Sequence, residues 1–136
     1  MKDKVFIDTN ILIYLYSEDE IEKQEIAEGL SNQYSTIISI QVLNEISNVM
    51  IKKMNSNLQS VSRVIEELSE YCIVKTITID TIQSAIKLVE KYKYSYYDSL
   101  ILSSALENQC KRLFSEDMQH GQSIENQLEI INPFLQ

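Results

Sequence analysis

Four carboxylates occupy positions where a β-sheet edge could gather them. Asp8 directly follows the apolar run Val5-Phe6-Ile7, which places it at the carboxyl end of a first strand. In open α/β sheets that edge is where ligands bind. Glu45 lies three residues after Val42 and four before Val49, on the inward side of a helix striped by Val42, Ile46, Val49 and Met50. Asp98 heads a similar stripe of Ile101, Leu102 and Ala105, and Asp117 comes just after a candidate strand ending at Ser115. Taken singly, each has an ordinary structural use. Asp8 could cap a helix, Glu45 could reach water from the stripe's edge, and Asp117 could be a turn acid beside Glu116. Asp98 stands three residues after Ser95, the spacing of a capping box.

Convergence gives the four a different meaning. A parallel sheet brings the ends of its first and fourth strands, and the starts of the following helices, onto one edge. Acids meeting there repel one another, and some pKa values rise unless a cation sits among them. A buried, unpaired carboxylate is costly and calls for a partner, a proton or a metal. All-oxygen ligands without nearby histidine or cysteine point to Mg²⁺ or Mn²⁺ rather than zinc. Such a site suits phosphodiester hydrolysis, where the metal generates a nucleophile from water and steadies charge on phosphate. The remaining candidates are weaker. His120 is the only histidine, and Cys72 and Cys110 lie too far apart for a zinc motif. The cysteines read as buried, reduced thiols of a cytoplasmic protein.

The elements that must position these acids alternate apolar runs with helical stretches, the pattern of an α/β fold with a mainly parallel sheet. Five strands are expected, over residues 4–8, 35–39, 73–79, 112–115 and 128–131. One helix is expected over 9–30 and another from a Ser39 cap to about 53. Three more should cover 58–71, 80 to about 92, and a Ser95-capped stretch ending near 110. The chain of 136 residues fits one domain, 1–136, with a core needing no staples. Gly29, Gly121 and Pro133 are its only glycines and proline, which excludes a glycine-rich phosphate loop and a flexible linker. The opening apolar run is too short for a signal peptide, and no segment is long enough to span a bilayer.

A formal net charge of −8 argues against passive coating of nucleic acid, which relies on lysine and arginine. It is compatible with metal-assisted chemistry on a phosphate backbone, and with a basic protein partner. The acids Glu18, Asp19, Glu20, Glu22, Glu25 and Glu28 read as a solvated helix face.

Asp8-Thr9-Asn10 after its strand, Gln41-Val42-Leu43-Asn44-Glu45, Tyr97-Asp98-Ser99-Leu100-Ile101, and Ser115 through Gly121 resemble the four motifs of a PIN domain. The closing Ile131-Asn132-Pro133-Phe134 is similar to the end of many ribonuclease toxins of bacterial toxin–antitoxin pairs. The resemblance covers Val5 to Phe134. It implies a three-layer α/β/α fold, RNA cleavage dependent on Mg²⁺ or Mn²⁺, frequent homodimers, and inhibition by a small DNA-binding antitoxin. By the same resemblance Asp8 and Asp98 would be the main metal ligands. Glu45 would complete the cluster and orient the attacking water. Asp117 would bind a second metal or a water, with Asn10 and Ser115 holding the carboxylates. Some family members carry a further acid where this chain has Gln119.

His120 could touch phosphate or be structural; Lys52, Lys53, Lys91 and Lys93 could meet RNA or be solvated helix ends. Structured DNA is the nearest alternative substrate. Haloacid-dehalogenase phosphatases also begin with a strand-end aspartate, but they need a general acid where Asn10 stands. A receiver-type phosphoacceptor would want adjacent acids at the first strand and a late lysine. The non-enzymatic alternative is an acidic module that binds a basic protein.

Overall fold

A computed structural model describes residues 1–135; Gln136, the end of the expected domain, lies outside the described residues. The apolar run that precedes Asp8 forms β1 (Lys4–Ile7), with Val5, Phe6 and Ile7 all buried. Strands buried on both faces read as unbroken apolar runs because no face needs polar residues. β1 is central: it pairs in parallel with β2 (Ser35–Ser39) on one side and β4 (Arg112–Phe114) on the other. β3 (Ile73–Lys75) pairs in parallel with β2, and β6 (Leu128–Ile131) with β4. The full order is β3-β2-β1-β4-β6-β5, where β5 is Ser123–Ile124.

The sheet has six strands rather than five. β5 (Ser123–Ile124) is two residues long and antiparallel to β6. Glu125 and Asn126, with φ of 52° and 56°, make the turn between them. Two successive positive φ values match the twist of a tight hairpin.

Connections run from β1 to β2 to β3 in one direction, then return past β1 to β4. Right-handed crossovers therefore place helices on both faces. α2 (Ile21–Gln33) and α4 (Leu58–Tyr71) pack against β2 and β3, whereas α6 (Tyr96–Glu107) packs against β2 and β4 and pairs with α5 (Ile79–Tyr92). α3 (Ile40–Lys52) is capped by Ser39, whose hydroxyl accepts from the Val42 N–H, as the sequence predicts. It buries Val42, Leu43, Ile46 and Met50.

Two further expectations are corrected. The single helix over 9–30 is instead α1 (Thr9–Ile13), a 3₁₀ turn (Tyr14–Tyr16) and α2. Ser17 breaks it: its backbone is extended and its hydroxyl accepts from the N–H groups of Asp19 and Glu20, both at 3.3 Å. Serine side chains compete with the helix for backbone groups in this way. The third strand stops at Lys75, not at 79, because Thr78 is diverted to cap α5 in a reciprocal box with Thr81. The six acids between Glu18 and Glu28 are all exposed. Cys72 and Cys110 are buried and unpaired. Among the described residues no helix is long and apolar enough to cross a membrane.

Candidate active site

The parallel register of β1 and β4 decides where Asp8 points. Ile7 lies opposite Phe114, and the Asp8 N–H extends the ladder by donating to the Phe114 carbonyl at 3.0 Å. Asp8 is thus brought beside Ser115, whose hydroxyl donates to its Oδ2 at 2.9 Å. The other oxygen, Oδ1, accepts from the Thr9 N–H at 2.7 Å and caps α1. Capping and site membership coexist. The carboxylate is 5% exposed, and with the longer Asn10 contact at 3.4 Å three of its roughly four acceptor positions are in use.

Asn10 ties two acids together. Its Nδ2 donates to Asp117 Oδ2 at 3.0 Å as well as to Asp8, while its Oδ1 accepts from the Glu116 N–H at 3.2 Å. Asp117 is exposed and Glu45 half-buried, the latter accepting from Gln41 Nε2 at 3.1 Å one turn earlier on α3. Asp98 is half-buried in the first turn of α6, where its N–H donates to Ser95 Oγ at 3.1 Å.

The acids perturb one another. Burial pushes the Asp8 carboxyl up to about 7, against the pull of Ser115 and Thr9, and the charges of Asp98 and Glu45 push the same way. Glu45 is raised by burial and by Asp98, with Gln41 and the nearby Thr9 hydroxyl pulling it back. Asp98 is raised by burial and by Asp117, with Ser95 opposing. Asp8, Glu45, Asp98 and Asp117 therefore form one electrostatic cluster.

Among the described residues none of the four forms an ion pair with a lysine, arginine or histidine. A site of hard oxygen ligands that lacks a protein cation fits a divalent metal of the Mg²⁺ type. The buried Thr9 hydroxyl, close enough to Glu45 to pull its pKa down, is a further oxygen at that spot. No three acidic, thiol or imidazole groups among the described residues enclose an ion as they stand, so holding one needs a side-chain adjustment.

Sequence reasoning assigned no role to Thr9, Gln41, Lys23 or Tyr14. Thr9 and Gln41 lie inside the first and second motifs, but Lys23 meets the site loop from 93 residues away. His120 is exposed and its Nδ1 accepts from the Asn132 N–H at 2.9 Å, a structural use that ties the site loop to the chain's end. Lys91 is engaged by Glu125 at 2.6 Å; Lys52, Lys53 and Lys93 are exposed. A separate cleft of about 440 Å³ lies between α2 and α4, lined by Leu12, Leu15, Leu30, Leu68 and Tyr71. It holds none of the four acids.

The PIN domain family profile matches residues 5–122. No curated protein matches the sequence significantly. Solved structures share the fold. A toxin–antitoxin complex from Klebsiella pneumoniae is 22% identical, with a TM-score of 0.73, covering 96% of this chain and 98% of its counterpart. VapC20 of Mycobacterium tuberculosis, described as a sarcin-ricin loop cleaving toxin, is 17% identical with a TM-score of 0.68, covering 83% and 89%. VapBC2 of Rickettsia felis, solved on a DNA fragment from its promoter, is 18% identical with a TM-score of 0.68, covering 95% and 99%.

Proposed function

Because this chain belongs to the PIN domain family, we propose that it is a divalent-metal-dependent endoribonuclease, the toxin of a toxin–antitoxin pair. One observation carries the reading: Asp8, Glu45, Asp98 and Asp117 meet at the carboxyl edge of the sheet with no protein cation among them. A structural ion cluster would carry its own lysine or arginine. A catalytic one leaves that place to a metal.

Asp8, Asp98 and Asp117 would hold Mg²⁺ or Mn²⁺, and Asn10 and Ser115 fix two of those carboxylates. The bound cation supplies a more acidic water and offsets negative charge on the phosphate. Glu45 orients the attacking water and accepts its proton; burial has already raised its affinity for one. The water oxygen would bond to phosphorus as the bond from phosphorus to the leaving sugar oxygen breaks; that oxygen would take a proton from solvent water, and Glu45 would return to solvent the proton it accepted. Without a cation, four carboxylates would repel the backbone they are meant to cut.

The chain's −8 charge suits a basic protein partner such as an antitoxin. The apolar cleft between α2 and α4, with Glu28 and Glu67 in its lining, offers that partner both apolar and acidic contacts. A homodimer and a cytoplasmic location accompany this reading. The test is cleavage of total RNA by wild type and Asp98→Asn in Mg²⁺, Mn²⁺ or EDTA. Metal-dependent cleavage lost in the variant supports the proposal. Equal activity in EDTA overturns it, and cutting confined to structured DNA would change the substrate class.

A further inference from the structure

Between two residues that face the acidic cluster lies one that faces away from it. Ser115 donates to Asp8, and Asp117 accepts from Asn10. Glu116 instead sends its carboxylate to the other side, where Oε1 accepts from Tyr14 Oη at 2.6 Å and Oε2 from Lys23 Nζ at 2.6 Å. Lys23 also donates to Tyr14 Oη at 3.2 Å. Its ammonium sits 4.8 Å from the Tyr14 ring centre and 5.1 Å from that of Phe134, and those two rings pack edge to face at 5.2 Å. Contacts of this kind draw a cation toward aromatic faces and hold it there.

The placement of Lys23 is itself informative. It lies in the first turn of α2, where the helix dipole favours an acid over a base. The Ser17 break, which separates α2 from α1, is what starts a new helix at this point. The loop after β4 is otherwise held by hydrogen bonds, from Asn10 Nδ2 to Asp117 Oδ2, from the Gln119 N–H to Tyr94 Oη and from the Asn132 N–H to His120 Nδ1. Lys23–Glu116 is its one ion pair among the described residues. Without it, Glu116 would add a fifth negative charge next to Asp117.

We propose that Lys23, Tyr14 and Glu116 form a positioning clamp that fixes the loop carrying Asp117 and keeps the Glu116 carboxylate out of the metal cluster. None of the three touches substrate; they act through Asp117, and the first turn of α2 thereby helps set affinity for the divalent ion. The inference rests on the reading that the four acids bind such an ion.

The experiment is Mn²⁺ binding, with free ion read by electron paramagnetic resonance on folded protein without RNA. The charge-balanced variant Lys23→Met/Glu116→Gln removes the clamp without leaving an odd charge. It should weaken the Mn²⁺ Kd about fivefold, and Tyr14→Phe should weaken it about threefold in the same direction. Lys23→Arg, which keeps the pair, should stay within about twofold of wild type. In an Asp117→Asn background, removing the clamp should change the Kd no further, because coupled residues are not additive. A clamp-free variant that melts lower in EDTA yet binds Mn²⁺ like wild type would make the network merely structural and overturn the proposal. Additive losses in the Asp117→Asn background would overturn the route through Asp117. A wild-type chain that binds no Mn²⁺ at all would instead overturn the metal reading, and the clamp with it.

Discussion

The two ends of β1 and β4 treat carboxylates in opposite ways. At the amino end, Asp3 precedes β1 and meets Arg112 Nη1 at 3.1 Å and Lys111 Nζ at 3.6 Å, cations at the start of β4. The Arg112 guanidinium, and then Lys111, hold Asp3 below the ordinary carboxylate range. At the carboxyl end, four or so residues along the same strands, Asp8 is buried with three more acids around it and no cation, and its pKa rises to about 7. One end resolves its charge within the chain. The other leaves it unresolved, and the proposed divalent ion is what would balance it.

The strongest way to break this contrast is catalytic. Asp98→Asn or Asp8→Asn should lower metal-dependent RNA cleavage by at least about 10²-fold, while Asp3→Asn should leave the rate close to wild type. Gel-based cleavage kinetics on one RNA compare all three. Comparable losses from Asp3→Asn would mean that the two ends are not functionally different.

Next in size is metal-linked stability. Mg²⁺ or Mn²⁺ at about a hundredfold excess over Kd should stabilise the fold by about 2.7 kcal/mol. For a chain of this length that is roughly a 10 °C rise in melting temperature. Asp98→Asn should lose most of the rise, whereas Asp3→Asn should keep it. A wild-type melt indifferent to millimolar metal would leave the carboxyl edge as a repelling cluster with nothing to balance it.

The elements that make this contrast were legible to different depths. β1, the Ser39 cap and the Ser95 cap were readable because each rests on a local signal: an apolar run, or a hydroxyl at a helix start. The acids could be picked out because each stands next to such a signal. The Ser17 break was hidden because its neighbours Glu18, Asp19 and Glu20 fit a helical pattern, and only the serine hydroxyl tips the balance. β5 was out of reach: two residues carry no period, and its strand character comes from pairing with β6. Lys23 and Glu116 lie 93 residues apart, so their pairing is a property of the fold and not of any window of sequence. Asp8 and Asp117 share one edge because β1 and β4 run parallel, a direction that apolar runs alternating with helices predict.

Acidity sharpens the comparison further. A group whose pKa is raised in the folded state keeps a proton that the unfolded chain has already lost, so stability falls as pH rises through that interval. For Asp8 the interval runs from its ordinary 3.8 to about 7. Asp98 and Glu45 are shifted in the same direction. In EDTA the melting temperature should therefore drop by a few degrees between about pH 5 and pH 8. Asp8→Asn, which cannot ionise, should flatten that slope. Saturating Mg²⁺ should remove it, because metal binding favours the deprotonated carboxylates. A melting temperature that climbs from pH 5 to pH 8 in EDTA would contradict the raised cluster.

The smallest effect belongs to the amino end and tests the contrast from its other side. Asp3 is lowered, so what it contributes is present above the ordinary carboxylate range and disappears only in acid. Its partners are partly solvated, and exposed ion pairs contribute little and are screened by salt. Asp3→Asn should lower the melting temperature slightly at neutral pH. The difference from wild type should vanish near 1 M salt, where the screening length is about 3 Å. That same salt should barely move the metal-dependent rise at the carboxyl end, where Asp8 is buried and the ion would be directly coordinated. If salt erased both effects alike, the carboxyl edge would be behaving as ordinary surface charge, and the case for a metal centre there would go with it.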